Sequence, residues 1–379
     1  MNSVVIAGYA RSPFHFAKRG ALAKLRPDDM VAQVMAGLLE RTGIDPATLE
    51  DVIMGCAMPE GEQGLNIARL ASFLAKLPVT VAGTTVNRFC GSSMQSIHMA
   101  AGAIRMGAGE AFLCAGVESM SRVPMAGFNP SPNPRLVKDY PQAYISMGQT
   151  AENLARKYQV TRGEQEAFAV ASQQKATAAR AEGRLHDEIV PMKLADGSVV
   201  SEDGCIRPET TAEVLAALAP AFDAAGSVTA GTSSPLTDGA AATLVCTEEY
   251  ARKNHLDVLA RIASIAVAGC APEIMGYGPV PASEKALARA GVKADQIDVV
   301  ELNEAFASQA IVSIRDLHLD EAKINLDGGA IALGHPLGAT GARITGKAAQ
   351  LLKRQGGKYA LATQCIGGGQ GIAAVLERA

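Results

Sequence analysis

Short apolar runs alternate with longer, Ala-rich amphipathic stretches along the first part of the chain. Residues 4–8 and 51–55 are predicted strands, and the residues near 28–41 between them are a predicted helix. Strands that alternate with helices in this way are typical of a mostly parallel sheet covered by helices. The pattern therefore predicts an α/β fold.

A similar order of elements recurs in the last third of the chain. Residues 261–268 are a predicted strand, 283–290 a predicted helix and 298–302 a further strand. Residues 51–54 resemble residues 298–301, which lie 247 positions later (298 − 51), and Cys90 and His335 are separated by a similar 245 (335 − 90). We therefore predict two related halves.

A segment of different composition separates these halves. Residues 121–141 contain five prolines, which favour an irregular path, and Thr161 with Glu164 has the spacing of a capping box that opens a helix reaching about Glu182. We predict a loop-and-helix domain inserted into the first half. The predicted boundaries are 1–118 with 237–257 for the first half, 119–236 for the loop domain and 258–379 for the second half.

Composition and charge narrow the function. The 379 residues carry a formal net charge of −3 without a dense basic run, so nucleic acid is not an expected partner. Seven cysteines, an odd number without metal-ligand spacing, predict a reducing compartment and no metal site. The start of the chain lacks a signal-peptide pattern and no 18-residue apolar span occurs, which predicts a cytoplasmic protein without a membrane span.

Cys90 is the first candidate for chemistry. It lies where a predicted strand turns at Gly91 into apolar residues at helical spacing, and hence at a predicted helix N-terminus. The N–H groups and dipole of such a terminus favour a thiolate, which attacks carbonyl carbons. Free cysteines are also among the most buried residues, so this position alone leaves packing and chemistry equally open.

The setting of His335 favours chemistry over packing for Cys90. His335 stands within residues 327–341, where several glycines and Pro336 allow a close backbone approach before a helix predicted near 341–352. A histidine that merely fills a core needs no such setting. The sequence therefore favours a functional pair of Cys90 and His335.

Two further segments contain candidate polar groups. Cys365 ends an apolar strand and leads into a glycine loop whose N–H groups could hold an oxyanion or a phosphate. That loop lies too near residue 379 for a second strand with a ribose-binding acid to follow, so a nicotinamide cofactor is not expected. Asn303 lies where a strand becomes a helix, and capping statistics alone favour a helix cap there.

Together these segments resemble the thiolase family over essentially the whole chain. The resemblance rests on residues 87–93, 303–307, 328–338 and 365–371 in that order, and on 10–14, 147–153 and 229–240. It implies the thiolase fold, in which two duplicated βαβαβαββ halves form five αβαβα layers with an inserted loop domain. It also implies assembly into homodimers or homotetramers.

The resemblance implies a role for each residue of the site. Cys90 would accept the acyl group, His335 would activate it, and Cys365 would act as acid and then as base. Asn303 would position a water that, with His335, binds the thioester oxygen, while the N–H groups of Cys90 and Gly367 would form a second oxyanion site.

Substrate-binding residues are likewise implied by resemblance. Arg207 and Ser234 match positions that contact coenzyme A (CoA), which is a substrate here and not a permanently bound cofactor. Met147, Met275 and Phe306 match positions that line the acyl pocket, although methionines there could be core filler.

The resemblance is greater to the degradative 3-ketoacyl-CoA thiolases than to the short-chain biosynthetic members. Those members usually have His before the Met-Gly pair, where this chain has Ser146. The expected activity is thiolysis of 3-ketoacyl-CoA in fatty-acid β-oxidation, with a possible multienzyme partner. The alternatives are a biosynthetic acetoacetyl-CoA thiolase, a decarboxylating ketoacyl synthase, which would have His in place of Cys365, and a thiolase-like lipid-binding protein.

Overall fold

A computed structural model describes residues 3–379 of the chain. The strands are β1 (Val4–Arg11), β2 (His15–Phe16), β3 (Asp51–Gly55), β4 (Ala82–Val86), β5 (Ala111–Ser119), β6 (Met192–Lys193), β7 (Val199–Val200), β8 (Thr237–Thr247), β9 (Ala260–Gly269), β10 (Val299–Leu302), β11 (Tyr359–Ile366) and β12 (Gln370–Glu377). The α-helices are α1 (Pro27–Thr42), α2 (Ile67–Leu74), α3 (Ser92–Arg105), α4 (Pro134–Asp139), α5 (Met147–Lys157), α6 (Arg162–Ala181), α7 (Ala212–Ala216), α8 (Glu248–Lys253), α9 (Pro279–Ala290), α10 (Ala307–Asp316), α11 (Ala330–Leu333) and α12 (Leu337–Gln355).

One large sheet runs through the molecule in the order β10-β11-β12-β9-β1-β8-β5-β3-β4, with β2 attached to β8. The β3–β4, β3–β5 and β10–β11 pairs are parallel, and the others are antiparallel. The join between β1 and β9 has two residue pairs, Val5 with Arg261 and Ile6 with Ala260. This narrow join divides the sheet into a first half and a second half.

Strand register confirms the predicted duplication. Met54 of β3 lies opposite Ala115 of β5, and Glu301 of β10 lies opposite Ala362 of β11. Both partners are displaced by 247 residues between the halves (301 − 54 and 362 − 115). The displacement equals the one predicted from residues 51 and 298.

Helices cover the sheet in three layers. One apolar core joins α1 and α2 to the first half, and another joins α9 and α10 to the second half. A third core, which contains residues of α3 and α12, contacts strands of both halves. Because α3 and α12 lie between the halves, the layers read αβαβα, and the predicted thiolase fold is confirmed.

Glycines let the two middle helices approach closely. A Cβ at Gly341 of α12 would lie 2.2 Å from the backbone nitrogen of Met94 in α3, and one at Gly338 would lie 2.3 Å from the carbonyl oxygen of Val117. No side chain fits at these distances. The helix predicted near 341–352 therefore begins earlier, at Leu337, because packing overrides the low helix propensity of glycine.

The segment between β5 and β8 folds over the second half. The capping box of Thr161 and Glu164 is present at the start of α6, as predicted. Residues 121–141, predicted to be irregular, include the short helix α4 as a correction, because the Asn133 side chain accepts from the N–H groups that open it. Helices α5 and α6 contact α10. The limits of a loop domain at 119 and 236 stay a prediction.

A buried ionic network ties this segment to the core. Lys347 of α12 pairs with Glu188 and Asp327 at 2.7 Å each. Arg11 of β1 pairs with the same Glu188 and with Asp203, again at 2.7 Å. Because each of these buried charges has a partner of opposite sign, the network avoids the large cost of an unpaired buried charge.

Candidate active site

Cys90 sits in a tight turn between β4 and α3. Residues Phe89–Gly91 form one 3₁₀ turn, in which Phe89 adopts a positive φ of 43°. The Ser92 hydroxyl accepts a hydrogen bond from the N–H of Arg88 at 2.9 Å and so closes the turn. A strained backbone at such a turn is typical of functional sites. The turn holds the thiol at the start of α3, with 7% of the residue exposed.

Burial changes the expected acidity of this thiol. It raises the pKa of Cys90 to about 11, while hydrogen bonds from the backbone N–H groups of Gly367 and Cys90 act in the opposite direction. Desolvation of the thiol thus acts against the helix N-terminus, which was predicted to favour a thiolate. Attack by Cys90 requires a base that takes its proton during the reaction.

His335 is held by two side chains at once. Its Nδ1 lies 2.6 Å from the Thr340 hydroxyl, and that hydroxyl donates to the carbonyl oxygen of Pro336 at 3.0 Å. The hydroxyl therefore accepts from Nδ1–H, which leaves Nε2 as the unprotonated nitrogen. Nε2 accepts from the amide of Asn303 at 3.3 Å. Thr340 thus selects the tautomer in which Nε2 is the base.

The charge state of His335 suits that assignment. Burial and the positive charge of Arg343 lower the pKa of the imidazole to about 3. A neutral imidazole is the form that accepts a proton. Leu337, two residues after His335, packs in the same apolar cluster as Cys90, so the two turns meet.

Asn303 follows β10, and its side chain reaches His335. The N–H of Asn303 donates to the carbonyl oxygen of Thr363 at 3.0 Å, and its side-chain Oδ1 is buried without a protein partner. Helix α10 begins at Ala307 with Phe306 as its cap, so the helix-cap alternative for Asn303 is wrong. Because buried polar atoms are generally hydrogen-bonded, the unpaired Oδ1 is a candidate contact for water or substrate.

Cys365 ends β11 beside the glycine loop. Gly368 and Gly369 adopt φ of 80° and 82°, which lets the chain reverse into β12. Cys365 is fully buried, and burial followed by the charges of Cys90 and Cys270 raises its pKa well above the ordinary value. The charge of Cys90 thus acts on Cys365, and the N–H of Gly367, two residues after Cys365, acts on Cys90.

Sequence reasoning missed two side chains that join these loops. The Gln364 amide donates to the carbonyl oxygen of Cys90. Arg88, which precedes Cys90, donates to the side chain of Gln370, which follows the glycine loop, at 2.9 Å. Nothing in their local sequence signals this, because each contact joins the two halves.

Glu118 was also missed. Its buried carboxylate accepts hydrogen bonds from the N–H groups of Ala57 at 2.8 Å and Gly338 at 2.9 Å, and from the Gln63 amide at 2.7 Å. It therefore connects the first half to the start of α12, next to His335. The internal repeat could have found it, because residue 118 displaced by 247 is Cys365.

The predicted acyl-pocket residues gather beside Cys365. Met275, Phe306 and Cys365 share one buried apolar cluster, and Met147 packs against it. Phe306 also meets Phe222 edge to face, with ring centroids 5.8 Å apart. The cluster gives the site an apolar wall.

The predicted CoA-contacting residues bond to backbone near the site. Arg207 donates to the carbonyl oxygen of Ile331 at 3.2 Å, and its Nε is buried without a partner. The Ser234 hydroxyl donates to the carbonyl oxygen of Ala305 at 3.1 Å. Both are thereby fixed next to the segments that carry His335 and Asn303.

Within residues 3–379, no group of three or more His, Cys, Asp or Glu side chains is arranged to hold a metal ion. None of their helices combines the length and the apolarity needed to cross a bilayer.

A duplicated α/β fold in which two cysteines, a histidine and an asparagine converge defines an enzyme of the thiolase-fold class. Residues 4–249 match the family model "Thiolase, N-terminal domain", and residues 256–378 match "Thiolase, C-terminal domain". The chain therefore belongs to the thiolase family and is an acyltransferase.

Individual relatives agree. A 3-ketoacyl-CoA thiolase of Pseudoalteromonas translucida (strain TAC 125) is 50% identical over 387 residues, covering 100% of this chain and 99% of that protein. One of Bacillus subtilis (strain 168) is 48% identical over 389 residues, with 100% of both covered. The crystal structure of human mitochondrial 3-ketoacyl-CoA thiolase matches with a TM-score of 0.92 and 38% identity, over 100% of this chain and 99% of that one.

Proposed function

We propose that the protein cleaves 3-ketoacyl-CoA with CoA, giving acetyl-CoA and an acyl-CoA shortened by two carbons. The observation that carries the proposal is the hydrogen-bonded set of Asn303, His335 and Thr340 next to the buried thiol of Cys90. Relatives about half identical over their full length are named for this substrate. The predicted degradative activity is thus the one we retain.

In the first half-reaction, Cys90 is the nucleophile. His335 Nε2 takes the thiol proton as sulfur attacks the C3 carbonyl carbon, and the resulting alkoxide is stabilised by the N–H groups of Cys90 and Gly367. Collapse of this intermediate breaks the C2–C3 bond and leaves the acyl group on Cys90. The electron pair passes to C2, and the enolate takes a proton from Cys365 to become acetyl-CoA.

The thioester oxygen of the departing enolate carries the developing charge. Protonated His335 and the Asn303 side chain, through a water, face that oxygen in our proposal, which accounts for the unpaired Asn303 Oδ1. In the second half-reaction, Cys365 takes the proton of a new CoA thiol. The CoA sulfur attacks the acyl-Cys90 carbonyl, acyl-CoA leaves, and Cys90 recovers its proton from His335.

Assembly and setting are further parts of the proposal. We propose a homodimer or homotetramer that acts in β-oxidation in the cytoplasm, with the loop domain at 119–236 on the CoA side. Support for assembly comes from the edge strand β4 and the neighbouring side chains of Leu65, Phe73 and Val79, which are 91%, 48% and 75% exposed. Exposed apolar groups beside an unpaired strand edge favour a protein partner.

Thiolysis rates for a series of 3-ketoacyl-CoA substrates test the proposed function. The loss of absorbance of the magnesium enolate reports cleavage directly. We expect turnover of substrates longer than four carbons. Activity confined to acetoacetyl-CoA would refute the proposal and would indicate the biosynthetic type of thiolase.

A further inference from the structure

A short basic rim borders the Cys90 side of the site. Lys18 and Arg19 follow β2 and are exposed, and Arg207 lies in the segment packed against them. Across residues 3–379, none of the three forms an ion pair with a carboxylate within 4.0 Å. Three basic side chains without an ion-pair partner form a potential anion site.

The backbone that carries this rim is fixed. Phe16 of β2 pairs with Thr237 of β8, and the N–H of Ala17 donates to the carbonyl oxygen of Leu236 at 2.8 Å. Lys18 adopts a positive φ of 67°, and its N–H donates to the Ser121 hydroxyl at 2.5 Å. The rim therefore does not need to be ordered when a ligand arrives, which lowers the entropic cost of binding.

The rim also contacts the segment that contains Arg207. His15 Nε2 lies 2.9 Å from the carbonyl oxygen of Glu202, and the N–H of Gly204 donates to the carbonyl oxygen of Phe14 at 2.8 Å. Burial lowers the pKa of Arg207, the charges of Cys205 and Glu209 raise it, and the positive charge of Arg19 lowers it further. A bound anion near both guanidinium groups would offset the repulsion between them.

Arg19 is further held by an aromatic ring. Its guanidinium carbon lies 4.2 Å from the centroid of the Phe16 ring, within the range of a cation–π contact. This contact leaves the N–H groups of the guanidinium free for phosphate oxygens, which they bind in pairs. On the inner side, Ala17 packs against the cluster that contains Cys90, so the rim adjoins the reacting thiol.

We propose that Lys18, Arg19 and Arg207 form a phosphate-binding subsite for the nucleotide arm of CoA, with Arg19 oriented by Phe16. The subsite rests on the proposed function, because CoA is the only polyphosphate that the reaction requires. Its ligand is a phosphate group, either the 3′-phosphate or the pyrophosphate of CoA. The subsite extends CoA recognition from Arg207 to the loop that follows β2.

Thiol acceptors that differ in their phosphates test this subsite. Thiolysis is measured with CoA, with dephospho-CoA, which lacks the 3′-phosphate, and with N-acetylcysteamine, which has no phosphate. In Arg19→Ala we expect the ratio of kcat/KM for CoA to that for N-acetylcysteamine to fall about tenfold, as for one charge-assisted contact. If the 3′-phosphate is the ligand, the ratio for dephospho-CoA does not fall. If the pyrophosphate is the ligand, the ratio for CoA and the ratio for dephospho-CoA both fall.

A matched control removes the same charge elsewhere. Arg105 is exposed at the far end of α3 from Cys90, and we expect Arg105→Ala to leave both ratios at the wild-type value. Arg19→Lys keeps the charge but not the paired donors, and should recover only part of the ratio. An unchanged CoA ratio in Arg19→Ala overturns the subsite. A wild-type enzyme that cleaves no 3-ketoacyl thioester even with N-acetylcysteamine overturns the proposed function instead.

Discussion

The two halves of the molecule present the same three positions to one site but fill them differently. One position follows β3 or β10, one precedes α3 or α12, and one lies near the end of β5 or β11. The matched pairs are Cys56 and Asn303, Cys90 and His335, and Glu118 and Cys365.

In the proposed mechanism the first half contributes one reacting group, Cys90, and the second half three. Cys56 and Glu118 contact each other and the backbone, with the Cys56 sulfur 4.0 Å from the carboxylate. Asn303 instead donates to His335, and both, with Cys365, have a proposed step in the reaction. The two halves thus share one framework, and the first serves mainly to support the reacting groups of the second.

The middle helices show the same division. Helix α12 buries Arg343 and Lys347, whose partners lie in other parts of the molecule, whereas α3 buries no Lys or Arg. Arg343 pairs with Glu301 of β10 at 2.6 Å. Since buried ion pairs act mainly by penalising other arrangements, we infer that they fix the position of α12 and hence of His335.

The largest expected effect on the rate comes from replacing Cys90, the one reacting group that the first half contributes in our proposal. In Cys90→Ser we expect kcat to fall about 10⁴-fold, because a hydroxyl is a far weaker nucleophile than a thiol beside the same base. Mass spectrometry after mixing with acyl-CoA should detect no acyl-enzyme. Cys270→Ser serves as the control and should retain the adduct. An adduct that peptide mapping places at a residue other than position 90 would show that another residue carries the acyl group.

Removal of His335, which matches Cys90 in the second half, should lower the rate less. We expect His335→Ala to lower the rate of Cys90 acylation about 10³-fold, as for loss of a general base. Stopped-flow measurement of acyl-enzyme formation is suitable. Because the pKa of His335 is lowered to about 3, the wild-type acylation rate should show no loss centred at the ordinary histidine value of 6.5. A loss centred there would contradict the neutral, buried imidazole.

Glu118→Gln tests whether the first half supports the second. Each carboxylate oxygen accepts from two donors, the N–H groups of Ala57 and Gly338 at one and the N–H of Met58 with the Gln63 amide at the other. The amide nitrogen that replaces either oxygen cannot accept, so two buried donors lose their partner. We expect a stability loss of about 2 kcal/mol in urea unfolding and a roughly tenfold lower kcat. Glu248→Gln, which removes a surface partner of Arg261, should change either quantity little. Equal effects of the two changes would contradict a supporting role.

The smallest effect concerns a second buried histidine. Burial, with the charge of Arg88, lowers the pKa of His98 on α3 to about 3, so between pH 6.5 and 3 the unfolded chain binds a proton that the folded protein does not. Stability from this histidine is thus present above 6.5 and is lost as the pH falls. In His98→Leu we expect the loss of stability from pH 7 to pH 5 to be smaller by about 2 kcal/mol. An identical loss in both proteins would contradict this assignment.

Local sequence signals predicted much of the framework. Strand β3 has the predicted bounds of 51 and 55, β10 begins one residue later than predicted, and α6 begins at its capping box. These elements depend on periodicity and caps within a few residues. The start of α12 was missed because Gly338 and Gly341 are tolerated there only through contact with the first half.

The chemistry of the site was less accessible from the sequence. The position of Cys90 before a helix was predicted, but its raised pKa was not, because the residues that bury it include Leu337 from the second half. Glu118 and Gln364 have no local signal for the same reason. Residues that act across the two halves become visible only when the strand register relates one half to the other.

The order of the strands means that the two halves of the site are synthesised at different times. Strand β12 lies between β9 and β11, and it follows both of them in the sequence. During translation the turn that contains Cys90 is synthesised long before β11 and β12, and so before His335 and Cys365, its proposed base and acid. We therefore expect a growing chain to be inert toward cellular thioesters until the second half has docked.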